Sequence, residues 1–351
     1  MRRDRKRRQA LPVRDGKMDE TGKRRKENGE AARRMKKGME QTRGKILIGS
    51  GLLVLTALIW GIAFVAQSEG MNYVGGFTFN ASRFLIGGAV LIPCIYFLRR
   101  GNREQRQALT EEEQKQQNRT GIAGGICCGL VLCLSSSLQQ FGIAHTTVGK
   151  AGFITALYII LVPILGLFMK KKVGLNIWVS VMMAAVGMYL LCINEGFSVG
   201  RGDFLVFLCS IGFSLHILVI DYFSPRADGV VISCVQFFTA GIVSGVLMLL
   251  FEKPSWEAVM AAWMPVLYAG VMSCGVAYTL QVVAQKNVPP TMASLLMSLE
   301  SVFSVLAGWV ILGQRLSGRE MLGCALVFAG ILLAQIPVEM LRGENKRKNT
   351  L

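Results

Sequence analysis

The motifs of common hydrolytic and nucleotide-driven chemistry are missing from this 351-residue chain. No HExxH, GxSxG or P-loop occurs, which sets aside zinc proteases, serine hydrolases and direct use of ATP. Histidine is scarce, with His145 and His216 far apart, and no CxxC pair exists, so neither a metal site nor a cofactor is expected. The nine cysteines are an odd number, all inside apolar segments, and read as small packing residues rather than a disulfide framework. Aromatics are absent from residues 1–45, which argues against a nucleic-acid-binding arm there. Charge is sparse beyond that point, since 18 of the 39 Lys and Arg lie in those first 45 residues.

What remains is apolar. Hydrophobic residues make up 52% of the chain and the mean hydropathy is +0.43, beyond the range of an ordinary soluble domain of this length. The basic first 45 residues lack long apolar runs and are expected to be a disordered cytoplasmic tail. A signal peptide sets a short basic region directly before a short apolar core; this tail is far longer and the segment after it is long enough to span. The tail therefore reads as a cytoplasmic retention signal with affinity for anionic lipid.

Ten spans follow, at Ile46–Ala66, Phe77–Leu98, Gly121–Phe141, Thr147–Met169, Leu175–Ile193, Asp203–Phe223, Val230–Phe251, Ala262–Ala284, Met292–Leu312 and Gly318–Ile336. About 20 apolar residues cross the roughly 30 Å hydrocarbon layer, so each run has bilayer length. The tails and the links after even-numbered spans hold 33 Lys and Arg, against four (Arg201, Lys253, Arg315 and Arg319) in the odd links. By the positive-inside rule both termini are then cytoplasmic.

The chain also repeats itself. Setting Ala293 on Ala151 carries Leu299 onto Leu157, Glu300 onto Tyr158 and Gly308 onto Gly166, and a second match sets Gln236-Phe237 on Arg83-Phe84. Five spans per copy is an odd number, so the second copy must lie upside down relative to the first. The expected fold is an all-α polytopic membrane protein of ten transmembrane helices in two inverted five-helix repeats, 46–193 and 203–336, with a basic cytoplasmic tail at 337–351. In that construction substrate sites lie near the midplane between the halves.

Polar groups inside the spans are the default functional candidates. Glu300 reads as lining a cavity, against a structural hydrogen bond to a neighbouring helix. Arg83, about 9 Å below the outer end of its span, can hold an anionic group or snorkel to the interface. His216 is a protonation site or a neutral ring bonded to a backbone carbonyl. Tyr158 and Trp60 are cavity walls or packed aromatics, and Lys150 reads as solvated. The glycine series Gly121, Gly125, Gly129 and Gly241, Gly245 read as close helix packing, and Pro163 as a kink. Gly200-Arg201-Gly202-Asp203 matches the GxGD of intramembrane aspartyl proteases. Its nearest membrane partner, Asp221, lies about 27 Å along the same helix, so an enzyme is not expected.

Four stretches carry a family resemblance: ALIWGIAFVAQ, RFLIGGAVL, GIAHTTVGKAGFITALYIILVPILG and SLESVFSVLAGWVILGQRLSGREMLGCALVFAGILLAQ. In this order on ten spans, covering residues 46–336, they resemble the EamA-type transporters of the drug/metabolite transporter superfamily. The resemblance implies a two-repeat carrier, commonly an exporter of amino acids or other small metabolites in the bacterial inner membrane. Ser301 stands where that family often has Pro, Leu312-Gly313-Gln314 where it often has LGE, and the first repeat ends in Lys170-Lys171-Lys172.

The sequence is therefore read as a secondary transporter in the cell membrane, with Glu300, Arg83, His216, Tyr158 and Trp60, in that order, as substrate-binding candidates. Its partners are a small-molecule substrate and the lipid bilayer, with protons or a counter-substrate as possible coupling species. The other reading is a non-transporting receptor or scaffold that uses its basic tail to bind a partner.

Overall fold

A computed structural model describes residues 20–101, 110–146, 148–170, 173–192, 200–312 and 317–335. Expectations placed on residues 1–19, Lys171, Lys172, Gly313, Gln314, Arg315 and the 337–351 tail lie outside the described residues, as does the side chain of Lys150. Among the described residues there is no strand. The helices run in order α1 (Glu20–Gly70), α2 (Gly76–Gly101), α3 (Glu111–Ile143), α4 (Val148–Thr155), α5 (Tyr158–Phe168), α6 (Leu175–Cys192), α7 (Arg201–Phe223), α8 (Gly229–Phe251), α9 (Trp256–Ala261) and α10 (Trp263–Tyr268). A π-helical segment (Ala269–Tyr278) leads into α11 (Thr279–Gln285), then α12 (Pro290–Met297), α13 (Leu299–Leu312) and α14 (Gly318–Gln335).

The chain divides into two units, 1–45 and 46–351. In the first, helix begins at Glu20, inside the stretch expected to be disordered. Its Glu, Lys, Arg and Ala are strong helix formers, so propensity favours helix where no apolar face is available to drive it.

Among the described residues seven helical stretches are long and apolar enough to cross a membrane: Gln41–Gly70, Gly76–Phe97, Glu111–Ile143, Ala151–Phe168, Arg201–Phe223, Gly229–Phe251 and Trp263–Gln285. The fifth and tenth of the expected ten spans are shorter apolar helices, 175–190 and 321–334. The ninth is divided at Ser298, so neither α12 nor α13 reaches spanning length alone. Polarity is arranged for lipid. Leu130, Leu134, Ile242 and Leu249 are exposed, while Arg83, Gln140, His216, Gln236 and Glu300 are buried. Cys94 and Cys127 are also exposed, which corrects their reading as packed residues; Cys128, Cys133, Cys209, Cys234 and Cys274 are buried.

Matched positions meet each other. A methyl added at Gly187 would lie 2.7 Å from the Gly323 carbonyl, and one added at Gly330 would lie 2.8 Å from that of Ser180. A single shift of 143 positions carries Gly187 onto Gly330 and Ser180 onto Gly323, so each helix presents to the other what it receives. Because low numbers in α6 meet high numbers in α14, the two run antiparallel. The same holds for α2 and α8: a methyl at Gly88 would meet Phe238 at 3.1 Å, and one at Gly241 would meet Leu85 at 2.9 Å. Beside that contact Phe84 and Phe237, also matched positions, stack with centroids 6.2 Å apart and planes 12° from parallel. Gly121, Gly125 and Gly129 likewise face α8 closely, but Gly245 has nothing within 4 Å and does not pack as expected.

Two of the helical stretches are interrupted at equivalent points. Between α4 and α5 the backbone tightens, with Leu157 N–H donating to Ile154 and Ile159 N–H to Ala156, i→i−3 bonds of the 3₁₀ kind. Between α12 and α13 Ser301 N–H donates to Ser298 in the same way. The Pro163 kink is thus expressed upstream: α5 runs through Pro163, and the break lies at Ala156-Leu157, before Ile159, whose carbonyl the ring would crowd.

Caps fix several helix ends. Thr110 and Glu113 form a capping box on α3, and Asp228 accepts from Val230 N–H at the start of α8. Asp203, in the GxGD stretch, accepts from Gly200 N–H and from Thr146 Oγ1, an ordinary structural employment. Glu252, just past α8, accepts from Phe77 N–H, Thr78 N–H and Thr78 Oγ1 at 2.9, 2.8 and 2.6 Å, joining the end of α8 to the start of α2.

Candidate functional site

Interruption of the helices matters because each break sets a polar side chain at the start of the following helix. Tyr158 opens α5 and Glu300 sits in the first turn of α13. Both are buried, and the Tyr158 hydroxyl donates to Glu300 Oε1 at 2.9 Å. The two matched residues of the duplication therefore touch. Both readings of Glu300 apply at once, since it makes a hydrogen bond between helices and also lines a cavity.

All five candidate residues line that cavity. From the first half come Trp60, Phe64 and Gln67 on one face of α1, with Arg83 from α2 and Thr155 and Tyr158 from the α4–α5 break. From the second half come Phe213 and His216 of α7, Ser273 and Tyr278 of the π-helical segment, and Glu300.

Arg83 does not snorkel. It is 2% exposed, its Nη1 donates to Gln67 Oε1 at 2.9 Å, and its Cζ stands 4.8 Å from the Phe84 ring centroid. Gln67 is steadied in turn by Gln140, whose Nε2 donates to the Gln67 carbonyl at 3.1 Å. His216 is 1% exposed and lies 3.1 Å, Nε2 to Oε1, from Gln236, so its partner is a side chain and not the expected backbone carbonyl. An amide oxygen can only accept, which puts the proton on Nε2. Trp60 packs on Tyr278 with centroids 4.6 Å apart, and its Nε1 is buried without a partner.

The π-helical segment was not foreseen. A π-turn fits an extra residue into a helix and displaces carbonyls from their usual donors; here Thr56 Oγ1 donates to the Ala277 carbonyl at 3.2 Å and to that of Leu52 at 3.0 Å. It turns Ser273 and Tyr278 to the cavity. The glutamines were missed as well. Gln67, Gln139 and Gln281 line the cavity, and Gln236 supports His216. The signal was present for Gln67, which follows Trp60 and Phe64 at seven and three positions, one face of a helix.

Chemically, the walls offer one guanidinium, one carboxyl group, amides and aromatic faces, the mixture of a few polar groups on an apolar lining that small-molecule sites use. Among the described residues no group of three or more His, Cys, Asp or Glu is placed to hold a metal ion.

The model of the EamA-like transporter family matches residues 47–193 and again 200–335. An uncharacterized transporter of Archaeoglobus fulgidus is 28% identical over 287 residues, covering 82% of this chain and 85% of its own. The uncharacterized transporter YoaV of Bacillus subtilis is 20% identical over 295 residues, covering 82% and 96%. A solved structure, titled only as the crystal structure of a protein, superposes with a TM-score of 0.67 at 21% identity, covering 82% of this chain and 96% of that one, a likeness of fold.

Proposed function

The chain belongs to the EamA-like transporter family of the drug/metabolite transporter superfamily, and from that premise we propose that it is a secondary transporter exporting a small metabolite, an amino acid or related compound, by alternating access. As a multi-pass membrane protein whose relatives are named transporters, it is not an enzyme.

The observation that carries the reading is convergence: polar side chains from both halves meet in one buried cavity, where Trp60 Nε1, Arg83 Nε and Nη2 and Gln281 Oε1 stay unpaired. Burying unpaired polar groups within a bilayer is costly, and a packed scaffold has no use for it. The reciprocal, antiparallel contacts of α6 with α14 and of α2 with α8 support ten helices in two inverted repeats, with the cavity on the axis between them. Rocking one half against the other then exposes the cavity to each side in turn. The loop charges support both termini in the cytoplasm of a plasma or inner membrane. Glu300, Arg83, His216, Tyr158 and Trp60 are the substrate-binding residues in this reading. Protons or a counter-substrate are the coupling partners such a cycle admits.

Proteoliposomes containing the full chain and loaded with a labelled pool of amino acids test it. Release at least tenfold faster than from protein-free liposomes is expected; equal release contradicts the reading.

A further inference from the structure

Among the buried groups of the cavity, Arg83 is the least satisfied. Its Nη1 is bound to Gln67, but Nε and Nη2 have no hydrogen-bond partner although both are buried. These two N–H groups share one edge of the guanidinium and point the same way, so the unused pair is a fork and not two scattered donors. Cζ stands over the Phe84 and Phe79 rings, 4.8 and 5.6 Å from their centroids. Arg83 lines the cavity, and with one Nη held by Gln67 its unpaired edge is what it has left to offer a ligand.

We infer that this Nε/Nη2 edge is a carboxylate subsite, which takes both oxygens of a planar carboxylate on the transported molecule. Several points converge on that chemistry. A buried cation without an anionic partner is unstable unless something supplies the charge, and no carboxylate is hydrogen-bonded to Arg83 among the described residues. A planar fork matches a carboxylate better than a halide, which can use only one point of it. Trp60 Nε1, a second buried donor without a partner, lines the same cavity. Glu300, on the opposing half, adds a carboxyl group able to accept from an ammonium, so a ligand that carries both groups finds a partner for each. The inference rests on the transport reading only for the ligand being cargo.

Binding and flux are measured separately, so the two readings fail separately. The purified full chain in nanodiscs is titrated with three matched pools: the twenty common amino acids, their C-terminal amides, and the corresponding acids lacking the amino group. Thermal stabilisation and tryptophan fluorescence report binding, with Trp60→Phe as the optical control. Stabilisation by the amino-acid pool, at least tenfold weaker with the amides, is expected. Arg83→Lys keeps the charge but not the fork and should weaken acid binding at least tenfold. Gln67→Leu, which frees the other edge and lets the guanidinium turn, should weaken it several-fold in a protein whose unliganded melting is checked first. Binding of the deaminated acids as tight as that of the amino acids identifies a simple carboxylate as ligand; weaker binding identifies a zwitterion, and both support the subsite. Amides as good as acids, no binding by any pool, or an Arg83→Lys protein that binds like the parent overturns it. Arg83-dependent acid binding without flux leaves the subsite standing and removes the transport reading.

Discussion

At matched positions the first half of the chain places Arg83, Tyr158 and Trp60 where the second places Gln236, Glu300 and Phe213. The backbones around them agree closely enough that Phe84 stacks on Phe237 and each glycine of the α6–α14 contact faces its counterpart's neighbour. The guanidinium of the cavity lies on one half and its carboxyl group on the other. On the transport reading proposed above, a near-symmetric scaffold would give two equivalent routes in and out, while unlike side chains would give the bound molecule one orientation. Symmetry therefore concerns the motion and asymmetry the chemistry, and the two can be broken independently.

The largest effect should come from breaking the scaffold. Gly330→Val sets side-chain atoms into the Ser180 carbonyl, 2.8 Å from where a Cβ must go, with backbone on the far side unable to yield. We expect a loss of about 3 kcal/mol or more and a sharp fall in folded protein recovered from membranes, as overpacking of a tight contact implies. The reciprocal Gly187→Val should match it; recovery of either at parental levels would show that the contact is looser than described.

Breaking the chemistry alone comes next. Glu300→Gln keeps shape and the Tyr158 hydrogen bond but removes the ionisable carboxyl, so flux in proteoliposomes should fall at least tenfold while membrane abundance holds. Tyr158→Phe deletes only the donor to Glu300 and should cost less, about 1–2 kcal/mol in stability with a several-fold fall in flux. If the second variant is the more damaging, the carboxylate is serving structure and not cargo.

Tyr158, Glu300 and Arg83 were the cavity residues that stood out in the sequence. The 142-residue shift put Tyr158 and Glu300 together, and a carboxylate or guanidinium in an apolar run stands out because each is costly there. The rest was hidden for physical reasons. Ala156-Leu157 and Ser298 carry no proline or glycine at the break itself; Pro163 marks the first only from six positions downstream, and nothing at Ser298 marks the second. The π-helical segment adds no residue type that betrays it. Gln67 and Gln236 act through partners 16 and 20 positions away, and only the fold brings those partners within reach. A multi-pass helical membrane protein was legible from hydropathy, but hydropathy cannot see that the run expected as the ninth span is divided at Ser298.

Smaller effects sharpen the comparison at the ends of the helices. Glu252→Ala removes three acceptor contacts to α2 without touching the cavity, and should lower the melting temperature by a few degrees, about 1–2 kcal/mol, with cargo binding unchanged. Gly245→Ala faces open space, and the better helix propensity of alanine should leave stability equal or raised by up to about 1 kcal/mol. A destabilised Gly245→Ala protein would mean that α8 packs against something there after all.

The claim that antiparallel halves enclose a cavity reached from both sides is tested most directly at Ser273, a buried cavity residue of the second half. In a protein freed of its nine native cysteines, Ser273→Cys is exposed to a membrane-impermeant thiol reagent in sealed vesicles of each orientation. Labelling from both faces, slowed by cargo, is the predicted result. A cysteine reached from one face only, or from neither, would contradict alternating access around this site.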